Sequence, residues 1–405
     1  MTWHAFKLIQ LFIFLLSTIV IEVHAHQIGT LKENTYKGGE ASTVYKKPDQ
    51  LNDGIQTATL KDVGIDEKII NAMTDSITNG NYTNVHSVLI SRNNKLAYEQ
   101  YWPGEDEVRM KGKAGVVPHH RDSLHDIRSI TKSITSAAIM IAIAQGKINS
   151  VNQRVFEFFP EYANYNTGTK RQITIQHLLN MSSGLEWHDD PTFMDSMKLT
   201  NPSAAIEFVL KQRLLDTPGT KFNYSDGSSQ VLAAILEKAT GLDVEKFTTE
   251  FLFRPIGIKH FEWTRQESGL ISAWAGLRMR SRYLLKFGML YLNGGKWNGK
   301  QIIPAHLVQQ SLTSQIATPY GDSLLHLGYS NQFWVFTDNI NGIPANYSRA
   351  SGNGGQIIVI DRQNKVVMVT TSGNYYQTNL RKSSWDLYYD FVFPAVIRSS
   401  KNMSK

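Results

Sequence analysis

The 405-residue chain contains no cysteine, so no disulfide and no thiolate metal or redox site can form. If the protein is exported, its stability must come from its core. Internal repeats and low-complexity tracts are also missing, which excludes solenoids and disordered arrays. No G-x-S-x-G elbow occurs, an argument against a Ser-His-Asp hydrolase of that type. Among the histidines, His119 and His120 are adjacent and no pair has the i, i+4 spacing of a helical zinc site, so no metal and no cofactor are expected. What remains is an ordinary globular composition, 41% hydrophobic and 11% aromatic. The net charge of +7 favours anionic surfaces, but it is spread along the chain. Its densest cluster, Arg278, Arg280 and Arg282, reads as a solvated face ahead of a helix.

Met1 to Ala25 reads as a secretory signal. Lys7 supplies the positive start, Leu8 to Ile21 the apolar stretch, and Val23-His24-Ala25 a cleavage site before His26. Gln10, Ser17 and Thr18 interrupt the short run and Glu22 follows it, which argues against a retained membrane anchor. A secreted or periplasmic protein without a membrane span is the expectation, with cell-wall association as a further consequence of its charge. Residues 26–58 are polar and irregular, an extension draped over the body.

Asp66 suits an N-cap for a helix carrying Ile69, Ile70, Met73 and Ile77. Asn93-Asn94, between Ser87–Ser91 and Lys95–Tyr101, marks a hairpin opening an antiparallel sheet. Residues 129 to about 260 are rich in helix signals, including segments at Ser129–Gln145 and Ser229–Thr240. Strand signals return at Gln332–Thr337, Gln356–Asp361 and Lys365–Thr371, and Asn379 to about Phe393 reads as a closing helix stopped by Pro394. The expected organisation is a sheet domain, 59–128 plus 261–398, interrupted by a helical domain, 129–260, with a tail at 399–405. The cleft would lie where the two meet.

Ser129-Ile130-Thr131-Lys132, the only S-x-x-K in the chain, opens the most apolar of these helices. Three residues is just under one turn, so hydroxyl and amine share a face. Desolvation disfavours a charged lysine, which allows it to take a proton from serine. The amide of a residue at this helix start can also receive an oxyanion. A plain N-cap serine is the alternative. Tyr224, in Lys221-Phe222-Asn223-Tyr224-Ser225-Asp226, is placed on a turn from which a phenol near lysine can share proton transfer, and taken alone it reads first as an ordinary packing aromatic. Ala350-Ser351-Gly352-Asn353-Gly354-Gly355-Gln356 supplies small residues that let a ligand approach the backbone, so an amide here can be a second oxyanion donor. Its G-x-G precedes a strand signal rather than a helix, which argues against a dinucleotide.

Together, Ser129-Ile130-Thr131-Lys132, Tyr224-Ser225-Asp226 and Ala350-Ser351-Gly352 resemble the three motifs of the serine β-lactamase and penicillin-binding-protein superfamily. The likeness is to the branch with class C β-lactamases, related esterases and 6-aminohexanoate-dimer hydrolases. His125-Asp126-Ile127-Arg128, His177-Leu178-Leu179-Asn180-Met181-Ser182-Ser183-Gly184 and Trp274-Ala275-Gly276-Leu277 extend it over residues 50 to 395. The resemblance implies an α/β fold of the α+β type, an antiparallel sheet flanked by helices with an all-helical insert. It also implies an acyl-enzyme on Ser129, with Lys132 and Tyr224 relaying the proton and the amides of Ser129 and Asn353 holding the oxyanion. Asp226, Ser351 and Gly352 would contact substrate.

Two departures bear on the substrate. Asp226 stands where Asn is usual, and Ala350 stands where a Lys or His usually meets a substrate carboxylate. Both argue against efficient β-lactam hydrolysis and for another ester or amide. A β-lactamase or D-Ala-D-Ala carboxypeptidase is the second expectation, and a non-catalytic envelope-binding protein the third. Nucleic acid is not an expected partner. Glu186-Trp187-His188-Asp189-Asp190 reads as a solvated loop near the pocket.

Overall fold

The computed structural model describes residues 45–188, 201–266, 268–320, 326–340, 342–377 and 379–403. The leader expected at 1–25, most of the extension, Asp189 and Asp190 lie outside the described residues.

A short β1 (Gln56–Thr57) precedes α1 (Glu67–Thr78), whose Asp66 caps the amides of Lys68 and Ile69. Then β2 (Val85–Arg92) and β3 (Lys95–Tyr101) form the first hairpin. Asn93 and Asn94 both take positive φ, 53° and 61°, as a two-residue turn of this hand requires. β4 (Gly104–Val108) and β5 (Gly112–Val117) make a second hairpin, and β6 (His125–Asp126) leads into α2 (Ile130–Ala144). Shorter helices follow: α3 (Ile175–Leu179), α4 (Pro202–Lys211), α5 (Asp226–Thr240) and α6 (Val244–Thr248). β7 (Glu262–Trp263) and β8 (Leu277–Met279) pair with β6 in a small sheet. After α7 (Ser281–Leu292) come the β9–β10 hairpin (Lys296–Trp297, Lys300–Gln301) and α8 (Ala305–Ser311). The chain returns to the main sheet with β11 (Ile316–Ala317), β12 (His326–Ser330), β13 (Phe333–Ile340), β14 (Ile343–Gly352), β15 (Gln356–Asp361) and β16 (Val366–Ser372), and ends in α9 (Phe393–Met403).

The main sheet has nine strands in the order β1-β3-β2-β16-β15-β14-β13-β12-β11, antiparallel except at β1–β3. Strands from both ends of the chain therefore meet at its centre, where β16 pairs with β2. One face packs on α2, α7 and the helices between them, and the other is covered by α1 and α9. This is the α+β, β-lactamase/transpeptidase-like arrangement of an antiparallel sheet flanked by helices. Among the described residues, no helix is long and apolar enough to cross a membrane.

Every residue of α2 from Ile130 to Ala142 is buried, as expected for a helix with no polar side. Three of its hydroxyls bond to neighbouring backbone, while Ser136 Oγ is buried without a partner among the described residues. Ser133 donates to the Gln332 carbonyl at 2.7 Å, Thr135 to that of Ala273 at 2.9 Å, and Thr131 accepts from the Leu277 amide at 3.2 Å. These bonds fix α2 to the β12–β13 turn and to the 272–277 loop.

Three local expectations need correction. α5 begins at Asp226 rather than Ser229, because Ser225 caps the Ser228 amide. Ala350-Ser351-Gly352, for which no strand was expected, lies at the end of strand β14. Pro394 stands inside the first turn of α9 instead of stopping a helix. A wider π turn, Tyr388–Val392, precedes it and relieves the clash of the proline ring with the preceding turn.

Candidate active site

Arg128 takes a left-handed φ of 49°, turning the chain sharply from β6 into α2. Ser129 therefore occupies the N-cap position, yet its side chain makes no capping bond. Its Oγ instead accepts a hydrogen bond from Lys132 Nζ at 2.9 Å. Lys132 is 1% exposed, and its Nζ also donates to the Trp274 carbonyl at 3.0 Å and lies 2.6 Å from Asp226 Oδ1. Three acceptors, one of them a carboxylate, surround the amine. The same Nζ sits 4.8 Å from the centre of the Tyr224 ring, over its face.

The earlier start of α5 explains how Asp226 arrives there. In the first turn of the helix, its carboxylate is favoured by the positive end of the helix dipole while it pairs with Lys132. Read from sequence as a substrate contact, it meets the lysine in this structure. Close packing supports this turn, since a Cβ on Gly227 would lie 2.4 Å from Trp187. Trp187 is correspondingly buried, and Glu186 pairs with Arg213 at 2.9 Å, so this part of the expected solvated loop is packed against the site.

Tyr224 stacks on Trp334, ring centres 6.0 Å apart and planes 14° off parallel. Phe222, Tyr320 and Tyr329 complete an aromatic wall. Burial, with Tyr224 and Asp226 nearby, pushes the Tyr329 phenol well above its ordinary range, so it stays neutral.

The end of β14 reaches the turn before Ser129. A Cβ on Gly352 would lie 2.3 Å from the Ile127 carbonyl oxygen, so only glycine allows this approach. Ser351 Oγ is buried with no hydrogen-bond partner among the described residues. Ala350 is fully buried in the core face, where no cationic side chain would be tolerated without a partner. Asn353 is half-buried, and its side-chain oxygen accepts from the Tyr376 amide at 3.0 Å.

Sequence reasoning missed three groups. The Trp274 carbonyl lies in a segment noted only for its resemblance. Arg128, 3% exposed, donates to Glu107 at 2.6 Å, lies 3.5 Å from Asp126 and covers Tyr375 at 4.3 Å. His86, Asp106, His119 and His125 gather from four separate stretches, which no local spacing rule detects. The Arg278, Arg280, Arg282 cluster is also not a solvated face. Arg278 meets Asp126 and Glu262, Arg280 meets Asp122, and Arg282 is buried between Asp53 and Glu99. Acidic residues distant in sequence account for that difference.

Comparison with known proteins agrees with this geometry. The profile of the beta-lactamase family matches residues 81–387. Protein flp of Staphylococcus aureus (strain MW2) is 28% identical over 187 residues, 45% of this chain and 36% of that protein, so the chain spans little more than a third of that curated relative. Two solved structures share the fold. The octameric penicillin-binding protein homologue from Pyrococcus abyssi aligns with a TM-score of 0.60 at 17% identity, covering 84% of this chain and 77% of that one. EstCE1, a hydrolase with promiscuous acyltransferase activity, aligns with a TM-score of 0.62 at 17% identity, covering 84% and 100%. With S-x-x-K, the tyrosine turn and the glycine-ended strand assembled on this fold, and the family profile matching three quarters of its length, the chain belongs to the beta-lactamase family.

Proposed function

We propose that the protein is an exported serine hydrolase that cleaves an ester or amide through an acyl-enzyme on Ser129. The observation that carries this reading is Lys132 Nζ, held 2.9 Å from Ser129 Oγ at the start of a buried helix. The Lys132–Tyr224 pair works in its singly deprotonated form, amine with phenol or ammonium with phenolate: as Ser129 Oγ attacks the substrate carbonyl the pair takes its proton, and it gives that proton to the leaving oxygen or nitrogen, which departs as alcohol or amine. The amides of Ser129 and Asn353 hold the oxyanion. Water then adds to the acyl carbon, returns a proton to Ser129 Oγ by the same relay, and releases the acid. Ser351 and Gly352 border the acyl group, and Asp226 holds Lys132 in place.

The substrate acyl group is not anionic. Asp226 places a carboxylate 2.6 Å from the lysine, and buried Ala350 offers no charge to a substrate carboxylate. That combination favours neutral or cationic esters and amides over penicillins. Residues 1–25 support export, and their removal is checked by the N-terminus of the mature protein.

The test is the intact mass of the purified mature protein after a fluorophosphonate and, separately, after benzylpenicillin. One fluorophosphonate adduct, absent in Ser129→Ala, together with turnover of short nitrophenyl esters, is the expected result. A lasting penicillin adduct would shift the reading to a cell-wall enzyme. No adduct from either would leave a non-catalytic binding protein on this scaffold.

A further inference from the structure

Behind the Ser129 turn, His86 of β2, Asp106 of β4, His119 of the β5–β6 loop and His125 of β6 bring one ligand atom each within 4.8 Å of one another. All four side chains are nearly inaccessible: His86 and His125 are 0% and 2% exposed, and the side chains of Asp106 and His119 5% and 4%.

The hydrogen bonds around the cluster fix which atoms face inward. His125 Nδ1 lies 3.0 Å from the Asp126 carbonyl oxygen, which only accepts, so Nδ1 carries the proton and Nε2 presents a lone pair. His86 Nε2 lies 3.1 Å from Asn84 Oδ1. The Asn84 amide is oriented by its Nδ2, which donates to the Glu105 carbonyl at 2.8 Å, so His86 Nε2 is the donor and Nδ1 is bare. His86 Nδ1 and His125 Nε2 then face each other at 2.9 Å with lone pair against lone pair. Nothing in the chain stands between them to make that contact favourable.

The other two members show the same incompleteness. His119 Nε2 is buried with no hydrogen-bond partner among the described residues, 4.0 Å from Asp106 Oδ2. Asp106 Oδ1 accepts from Tyr375 OH at 3.0 Å and from the Glu107 amide at 2.9 Å, which holds the carboxylate and turns Oδ2 toward His119. The backbone is also closed around the rings. A Cβ on Gly104 would lie 2.5 Å from His86 Nε2, and one on Gly373 would lie 2.7 Å from His86 Cε1.

We propose that His86 Nδ1, His119 Nε2, His125 Nε2 and an Asp106 carboxylate oxygen bind one divalent transition metal of the zinc type. Three imidazoles and a carboxylate are a donor set for four-coordinate zinc, whose ligand atoms stand about 3.3 Å apart when bonds are about 2.0–2.1 Å. His86 Nδ1 and His125 Nε2 are 2.9 Å apart, His125 Nε2 lies 3.7 Å from Asp106 Oδ1 and His119 Nε2 4.0 Å from Asp106 Oδ2, so the ligand atoms stand around that value within a 4.8 Å limit. The outer bonds to Asn84, the Asp126 carbonyl and Tyr375 are the second shell such a site uses to fix tautomer and carboxylate. A proton shared by His86 and His125 would relieve only their contact and would leave His119 Nε2 unsatisfied. It would also place a cation where burial drives both rings toward the neutral form. Arg128 and Arg278 add positive charge near His125, and each is paired with acidic groups, Arg128 with Glu107 and Asp126 and Arg278 with Asp126 and Glu262. With four protein ligands and no open position, the metal is structural. It ties β2, the β4–β5 hairpin and the loop before the nucleophile into one unit.

The test uses the full mature chain, produced in zinc-supplemented medium and dialysed against buffer. Metal analysis should find about one zinc per chain, and chelation should lower the melting temperature, with full recovery on adding zinc. Cobalt added to the stripped protein should give the intense visible bands of a four-coordinate nitrogen–oxygen site. Asp106→Asn and His119→Gln should each weaken zinc binding by at least about tenfold, while Ser129→Ala should bind zinc as the wild type does. Less than a tenth of a metal per chain, no cobalt spectrum and no thermal response to zinc in the wild-type protein would overturn the proposal. The cobalt spectrum requires no variant to fold. It is also independent of hydrolysis, so its failure and a failure of the Ser129 reading are separate results.

Discussion

Two polar clusters lie on opposite sides of the Ile127-Arg128-Ser129 turn, and they handle burial in opposite ways. On the α5 side, Lys132 and Asp226 are brought together as a charged pair at 2.6 Å. On the β2 side, His86 and His125 are driven to the neutral state, with basicities lowered to about 2 and about 3, chiefly by burial. A buried ion pair is robust while both partners remain and costly when one is lost. A buried neutral imidazole is robust above its ordinary titration range and costly below it. Charge is thus kept beside Ser129 and suppressed behind it.

The strongest test of this contrast removes the cation from the first cluster. Lys132→Ala should lower kcat/KM for a nitrophenyl ester by about a thousandfold or more, since proton relay and orientation fail together. Asp226→Asn should retain much more activity, with its pH–rate profile moved to lower pH, because the carboxylate no longer favours the ammonium. An unchanged profile would mean that the pair does not set the resting charge.

Next in size is the residue that joins the clusters. Arg128→Ala removes a guanidinium from between Glu107, Asp126 and Tyr375 and should cost about 3 kcal/mol in urea unfolding. Activity should fall as well, because this residue holds the turn into Ser129. Stability of the metal-free protein should also depend on pH in a defined direction. His86 and His125 are neutral when folded and protonate near 6.5 when unfolded, so their contribution is complete above about pH 6.5 and is lost as the pH falls toward 3. Each adds a slope of at most about 1.4 kcal/mol per pH unit within that window. Urea midpoints from pH 7.5 to 4 should show it, and a flat profile would contradict the neutral-histidine account.

Smaller effects are expected at the margins. Gly352→Ala should reduce activity by about tenfold to a hundredfold by pushing β14 from the Ile127 carbonyl, with a modest fall in melting temperature. Lys238→Ala, which breaks a surface pair with Glu161, should change stability by about 0.5 kcal/mol or less.

Legibility followed locality. The S-x-x-K motif needs one helical turn to work, so Ser129 and Lys132 could be read from four residues, and the Asn93-Asn94 hairpin from two. Tyr224 required only a turn. The family likeness carried the sheet and its helical flank, and the strand order could not have come from periodicity alone. Other features depended on contacts made across the fold. The family motif makes Asp226 a substrate contact, whereas its pairing with Lys132 depends on Ser225 capping a helix that begins at Asp226 itself. Arg282 looked solvated because Asp53 and Glu99 arrive from 229 and 183 residues away. The histidine cluster draws on three strands and a loop, so each member taken alone looks like an ordinary residue.

The pairing of β16 with β2 has a consequence for synthesis. Thr370 lies opposite Val88, so the middle of the sheet closes only after more than nine tenths of the chain has been made. Gly352, which meets the turn before Ser129, also emerges late. A growing chain carries α2 for over two hundred residues before the strand that meets its N-terminal turn exists. Contacts of such sequence separation slow folding, so the turn around Ser129 acquires its last neighbour only near the end of synthesis.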